Sequence, residues 1–218
     1  MSNPDSFIKE VTEEVRRERL FGLLRRYGWI AVLVVLLVVG GAAWNEWRKA
    51  RDQAAAEAFG DAVLAALDTP DPAARIAALD AIDADSAGRG AILDLLRAAE
   101  AQRAGDTQAA LAAFARVEAN ESLSRSYRQL AALQRVMLAG PALDAAEREQ
   151  ILSALAQPGE PFRPLALEQI AMLRIEAGET DAARAILQDL LDEPEATQGL
   201  RARVRQLIVA LGGDAAQG

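Results

Sequence analysis

"PLALEQIAMLRIEAGETDAARAILQDLLDEP", running from Pro164 to Pro194, reads as two helix-forming stretches separated by one turn. The turn is Gly178-Glu179. After it, "GETDAAR" (178–184) reads as a helix start, with Thr180 or Asp181 as the cap. Ala183 stands five residues after the glycine, where a small side chain lets two helices approach closely. Leu187 stands nine residues after it, where a helical hairpin needs a large apolar side chain.

The same punctuation recurs along the chain as Thr69-Pro70-Asp71-Pro72, Gly105-Asp106 and Gly140-Pro141. Measured from Pro70, the steps are 35, 35 and 38 residues. A helix–turn–helix unit with a period near 34 residues is the signature of tetratricopeptide-type repeats. Ala110 and Ala145 take the place of Ala183 after the other two glycines, and Phe114 takes the place of Leu187. The middle repeat has Glu149 at that last position. The Trp and Tyr usual in the first helix are missing, so the repeats are degenerate.

The expected fold is all-α, a tetratricopeptide-like α-solenoid. Hairpins are expected near 54–84, 91–119, 122–156 and 162–191, with a capping helix near 197–211. Each hairpin alone cannot bury its apolar face, and stacking supplies the missing partner. In the last helix, Leu200, Val204, Leu207, Ile208 and Leu211 are expected inward, and Arg201, Arg203 and Arg205 outward. "QPGEPFRP" (157–164) is the clearest break between hairpins. A curved stack offers an extended binding surface, to which Tyr127, Gln134, Met137, Gln169 and Met172 on first helices are candidates.

Upstream lies "RRYGWIAVLVVLLVVGGAAWNEWRK" (25–49). Residues 27–45 carry no charge and at helical rise span roughly 28 Å, near the thickness of a bilayer core. Arg25, Arg26, Tyr27 and Trp29 stand at one end, Trp44 and Trp47 at the other, as membrane-interface anchors would. This predicts a single transmembrane helix over 27–45, between a charged amphipathic segment (1–26) and the repeat domain (46–218). A cleaved signal peptide is the rival reading, with Gly41-Ala42-Ala43 as a loose cleavage site. Six basic residues before the span against three close behind it place the N-terminus in the cytoplasm. The expected location is then the bacterial inner membrane, single-pass, with the repeat domain in the periplasm and the lipid bilayer as a partner.

Composition excludes much chemistry. The 218 residues include no cysteine and no histidine. Thiol catalysis, disulfides, Cys/His zinc sites and a histidine base are therefore impossible. Residues 52–218 hold 15 arginines against 26 acids, a net of −11 that repels phosphate backbones, so no nucleic acid is expected. Asp80, Asp83 and Asp85 lie near glycines, but the acid that would close a calcium loop is absent. No catalytic, metal or cofactor residue is assigned, and no enzyme is expected.

The order of these features resembles the YfgM-type family of bacterial inner-membrane proteins, ancillary subunits of the SecYEG translocon. The resemblance rests on the charged N-terminus, "WNEWRKARDQAAAEAF" (44–59), "YRQLAALQRVMLAG" (127–140) and the 164–194 stretch. It implies a protein-interaction module that assists exported proteins, with the translocon, a membrane-anchored periplasmic chaperone and exported clients as partners. It carries over no binding residues. The alternative is a structural scaffold for envelope assembly or division complexes.

Overall fold

The computed structural model describes the backbone of residues 4–213, and the side chains of Arg25, Trp29, Ile30 and residues 32–213. Among these residues there are helices and no strands. They are α1 (Pro4–Leu67), α2 (Pro72–Asp80), α3 (Ala87–Arg103), α4 (Thr107–Ala119), α5 (Arg125–Ala139), α6 (Ala145–Leu155), α7 (Arg163–Glu176), α8 (Thr180–Asp192) and α9 (Gln198–Ala210). The chain divides into two units, Met1–Asp61 and Ala62–Gly218.

The first unit holds helix α1 as far as Asp61. It corrects the predicted anchor: among the described residues, no helix is long and apolar enough to cross a membrane. The apolar residues do not form a helix of their own, because α1 continues into turns bearing Glu46, Arg48, Lys49, Arg51 and Asp52. The single-pass inner-membrane location, its cytoplasmic N-terminus and its periplasmic repeat domain fall with the anchor. The amphipathic reading of 1–26 concerns side chains outside the described residues, Arg25 excepted.

In the second unit each helix packs on the next in the chain, from α2 to α9. Three hairpins result, α3–α4, α5–α6 and α7–α8, followed by the single helix α9; the stretch expected as a first hairpin near 54–84 is the end of α1 followed by the short α2, which packs on α3. The ends of these helices follow from their residues. Gly105 and Gly178 adopt φ of +77° and +78°, a left-handed conformation that costs other residues about 1–2 kcal/mol. In that conformation the Asp106 N–H reaches the Ala101 carbonyl and the Glu179 N–H reaches the Arg174 carbonyl, both at 2.8 Å. These bonds close α3 and α7. Asp106 then caps α4 by accepting from the Ala109 N–H at 2.9 Å. At α8 the N-cap is Glu179, without a side-chain cap bond, and Thr180 is the first helical residue, which corrects the Thr180/Asp181 expectation.

The middle hairpin turns differently. Pro141 lacks an N–H and fixes φ, so Gly140–Ala142 forms a 3-10 turn and α6 is delayed until Ala145. The N-caps Asp71, Asp106, Asp144 and Glu179 recover a common register. Eight residues after each stand Leu79, Phe114, Leu152 and Leu187, all buried. Four residues after each stand Arg75, Ala110, Arg148 and Ala183, so arginine and alanine alternate along the stack.

The core follows this register in three clusters. Around α4, Ala110, Ala113, Phe114 and Val117 meet Ala91, Ala98 and Ala101 of α3 and Ala131 of α5. Around α6, Leu152 and Leu155 meet Leu133 and Val136 of α5 and Ile170 and Leu173 of α7. Around α8, Leu187 and Leu190 meet Ala171 of α7 and Leu200, Val204 and Ile208 of α9.

Candidate functional site: a groove across the first helices

Burial of Ala166, Ile170, Ala171 and Leu173 turns the other side of α7, with Gln169 and Met172, outward. Burial of Leu200, Val204 and Ile208 does the same for Gln206 and Ala210 on α9. Met137 of α5 joins them, half exposed. Together with Leu207, these residues line an open groove of about 720 Å³ across α5, α7 and α9.

One wall of the groove is a fork-to-fork ion pair. Arg203 Nε donates to Glu168 Oε1 at 2.9 Å, and Arg203 Nη2 donates to Glu168 Oε2 at 2.8 Å. Glu168 is buried, and both its oxygens are taken by this pair. The hydrogen bond to Glu168, with its charge, holds the Arg203 guanidinium above its ordinary pKa. The pair ties α7 to α9 and leaves the groove without a free charge on that wall.

The groove continues into a smaller space of about 180 Å³ that shares Met137, Gln169 and Met172. There Arg148 Nη2 meets Glu176 at 2.9 Å. Arg174 pairs with Glu149 nearby, and the hydrogen bond to Glu149 raises its pKa. The Arg135 guanidinium is raised likewise, mainly by its hydrogen bond to Glu118. Thioethers over an apolar floor adapt to many side-chain shapes, and the Gln169 and Gln206 amides can bond a peptide backbone. The arrangement can hold an extended apolar segment.

Of the sequence candidates, Met137, Gln169 and Met172 meet in this groove. Tyr127 and Gln134 lie on α5 but are not among its lining residues. Gln206, Leu207, Ala210 and the Glu168–Arg203 pair were missed. Leu207 was expected inward, and it is half-buried at the groove edge. Among the repeat positions, Ala110, Phe114, Ala183 and Leu187 are buried, whereas Ala145 is the exposed first residue of α6. On α1, Arg25, Trp29, Trp44 and Trp47 are exposed, and Arg26 and Tyr27 have side chains outside the described residues. The Trp44 and Trp47 rings lie 5.2 Å apart, and Arg51 sits 5.7 Å from the Trp47 ring centre.

Among the described residues, no three metal-ligating side chains converge. Asp80 is paired with Arg97 and Asp85 with Arg89, each at 2.6 Å.

A stacked helical array with an open groove whose lining charges, Glu168 and Arg203, are paired has the architecture of a protein–protein interaction module. The family can be stated more closely: over residues 25–212 the chain matches the tetratricopeptide repeat-like domain, and it belongs to that family. Domains of this kind are typically scaffolds without chemistry of their own. No curated protein and no solved structure matches the chain.

Proposed function

We propose that this interaction module serves protein export, holding apolar segments of exported clients in the α5/α7/α9 groove. The observation that carries the reading is the pair of accessible thioethers, Met137 and Met172, between amides that suit a backbone. The resemblance to the YfgM-type family supplies the partners: the SecYEG translocon and a chaperone.

The test is a pull-down of the full chain from mild detergent, read by mass spectrometry. Translocon subunits and a chaperone are expected. Recovery of division or cell-wall proteins alone overturns the export reading in favour of a scaffold. A second arm measures the groove itself. Met172→Glu puts a charge where an apolar side chain of the client would be buried, a loss of about 1.5–3 kcal/mol. Affinity for a carboxymethylated, permanently unfolded protein should fall at least roughly tenfold. Equal affinity of variant and parent would remove the groove from the reading.

A further inference from the structure

Met137 and Arg128 lie nine residues apart on α5, which is two and a half turns, so they point to opposite sides of the helix. On the Arg128 side is a second open groove of about 490 Å³ between α4, α5 and α6. Its apolar floor is Ala132, Ile151, Ala154 and Leu155.

Two polar groups at this groove lack partners among the described residues. Arg128 makes no ion pair, and its buried Nε has no hydrogen bond. Gln129 is only 8 % exposed, and its Oε1 is buried without a donor. The amide cannot be turned round to cure this. Its Nε2 donates to Glu160 Oε2 at 2.5 Å, and an oxygen placed there would face a carboxylate. The neighbouring acids are already taken. Glu160 Oε1 meets Arg125 at 2.6 Å, and Arg135 holds both oxygens of Glu118. An uncompensated guanidinium, in a repeat domain that is strongly acidic overall, is thus left beside an orphan acceptor and an apolar floor.

We propose that this groove binds an extended segment of a partner protein in which an aliphatic residue adjoins an aspartate or glutamate. The acid takes the Arg128 guanidinium, and the aliphatic side chain covers Ile151, Ala154 and Leu155. Each requirement is set by a group the fold leaves unmatched.

The probe is a fluorescein-labelled six-residue peptide alternating leucine and aspartate, titrated into the full chain at low salt and read by anisotropy. Binding should weaken as salt rises. Arg128→Gln should weaken it roughly tenfold, the equivalent of one charge-assisted hydrogen bond. Ala154→Glu, a change at an exposed helical position, should abolish it. Met172→Glu should leave it unchanged, because that residue lines the other groove. Circular dichroism of each variant checks the fold, and Ala154→Glu and Arg128→Gln serve as independent tests. Absence of binding at millimolar peptide overturns the proposal. So does equal binding of a leucine–asparagine peptide, or a loss with Met172→Glu as large as that with Arg128→Gln.

Discussion

Phe114→Ala should lower the unfolding free energy by about 3–5 kcal/mol. The ring is 4 % exposed and is the largest side chain in a cluster otherwise rich in alanine. Ala91, Ala98, Ala101, Ala110, Ala113 and Ala131 bring three helix backbones close together around it. An alanine has no side chain that can swing into a void, so the cavity can close only if the helices themselves move. That puts the cost near the upper end for a large-to-small change. The measurement is the urea midpoint by far-UV circular dichroism at unchanged slope. A loss below about 1 kcal/mol would mean that α4 collapses onto its neighbours.

Arg75→Ala should cost about 3 kcal/mol, for a different reason. Glu100 is a carboxylate only 1 % exposed, and Arg75 Nη1 donates to it at 2.6 Å. Arg75 also holds the preceding turn, its Nε donating to the Thr69 carbonyl at 3.0 Å. Removing it leaves Glu100 with Arg103, whose guanidinium is mostly in water. A buried charge that loses its better partner is penalised more than the pair was ever worth. The double variant Arg75→Met with Glu100→Leu should therefore regain most of the loss. If the double variant is as unstable as Arg75→Ala, the packing of the arginine stem rather than the charge is what matters.

Much of the repeat domain was legible because its punctuation is chemical. Glycines at 105 and 178 mark where the chain must turn left-handed, and the expected hairpins at 91–119 and 162–191 coincide closely with α3–α4 and α7–α8. The middle hairpin was misaligned because positions were counted from the glycine. Pro141 lengthens that turn, so the counterpart of Phe114 is Leu152 rather than Glu149, and the counterpart of Ala110 is Arg148. Counting from the N-cap Asp144 would have found both. Met137, Gln169 and Met172 could be picked out by their place on first helices, a criterion that also put forward Tyr127 and Gln134, which do not line the groove. The Glu168–Arg203 pair could not, since the two residues lie 35 positions apart and meet only through helix stacking. The apolar run at 27–45 was read by its length, its lack of charge and the aromatic and basic residues at its ends. Its charged continuation within one helix, α1, separates the expectation from the finding.

The alternation of arginine and alanine four residues past the N-caps has a mechanical consequence. The α4/α5 seam is lined with alanine and touches along more of its length than the α6/α7 seam; the first carries the ion pair Arg135–Glu118, the second Arg148–Glu176 and Arg174–Glu149. The α2/α3 seam likewise holds Arg75–Glu100. Under load the α4/α5 seam is stiffer than the α6/α7 seam, because salt screens the ion pairs of both seams but not the apolar contact that dominates α4/α5. Tension would thus leave α3, α4 and α5 together after α6 has parted from them, because α5 touches α6 over less of its length than it touches α4. The unit that holds under load is one hairpin and the first helix of the next, not the repeat seen in the sequence.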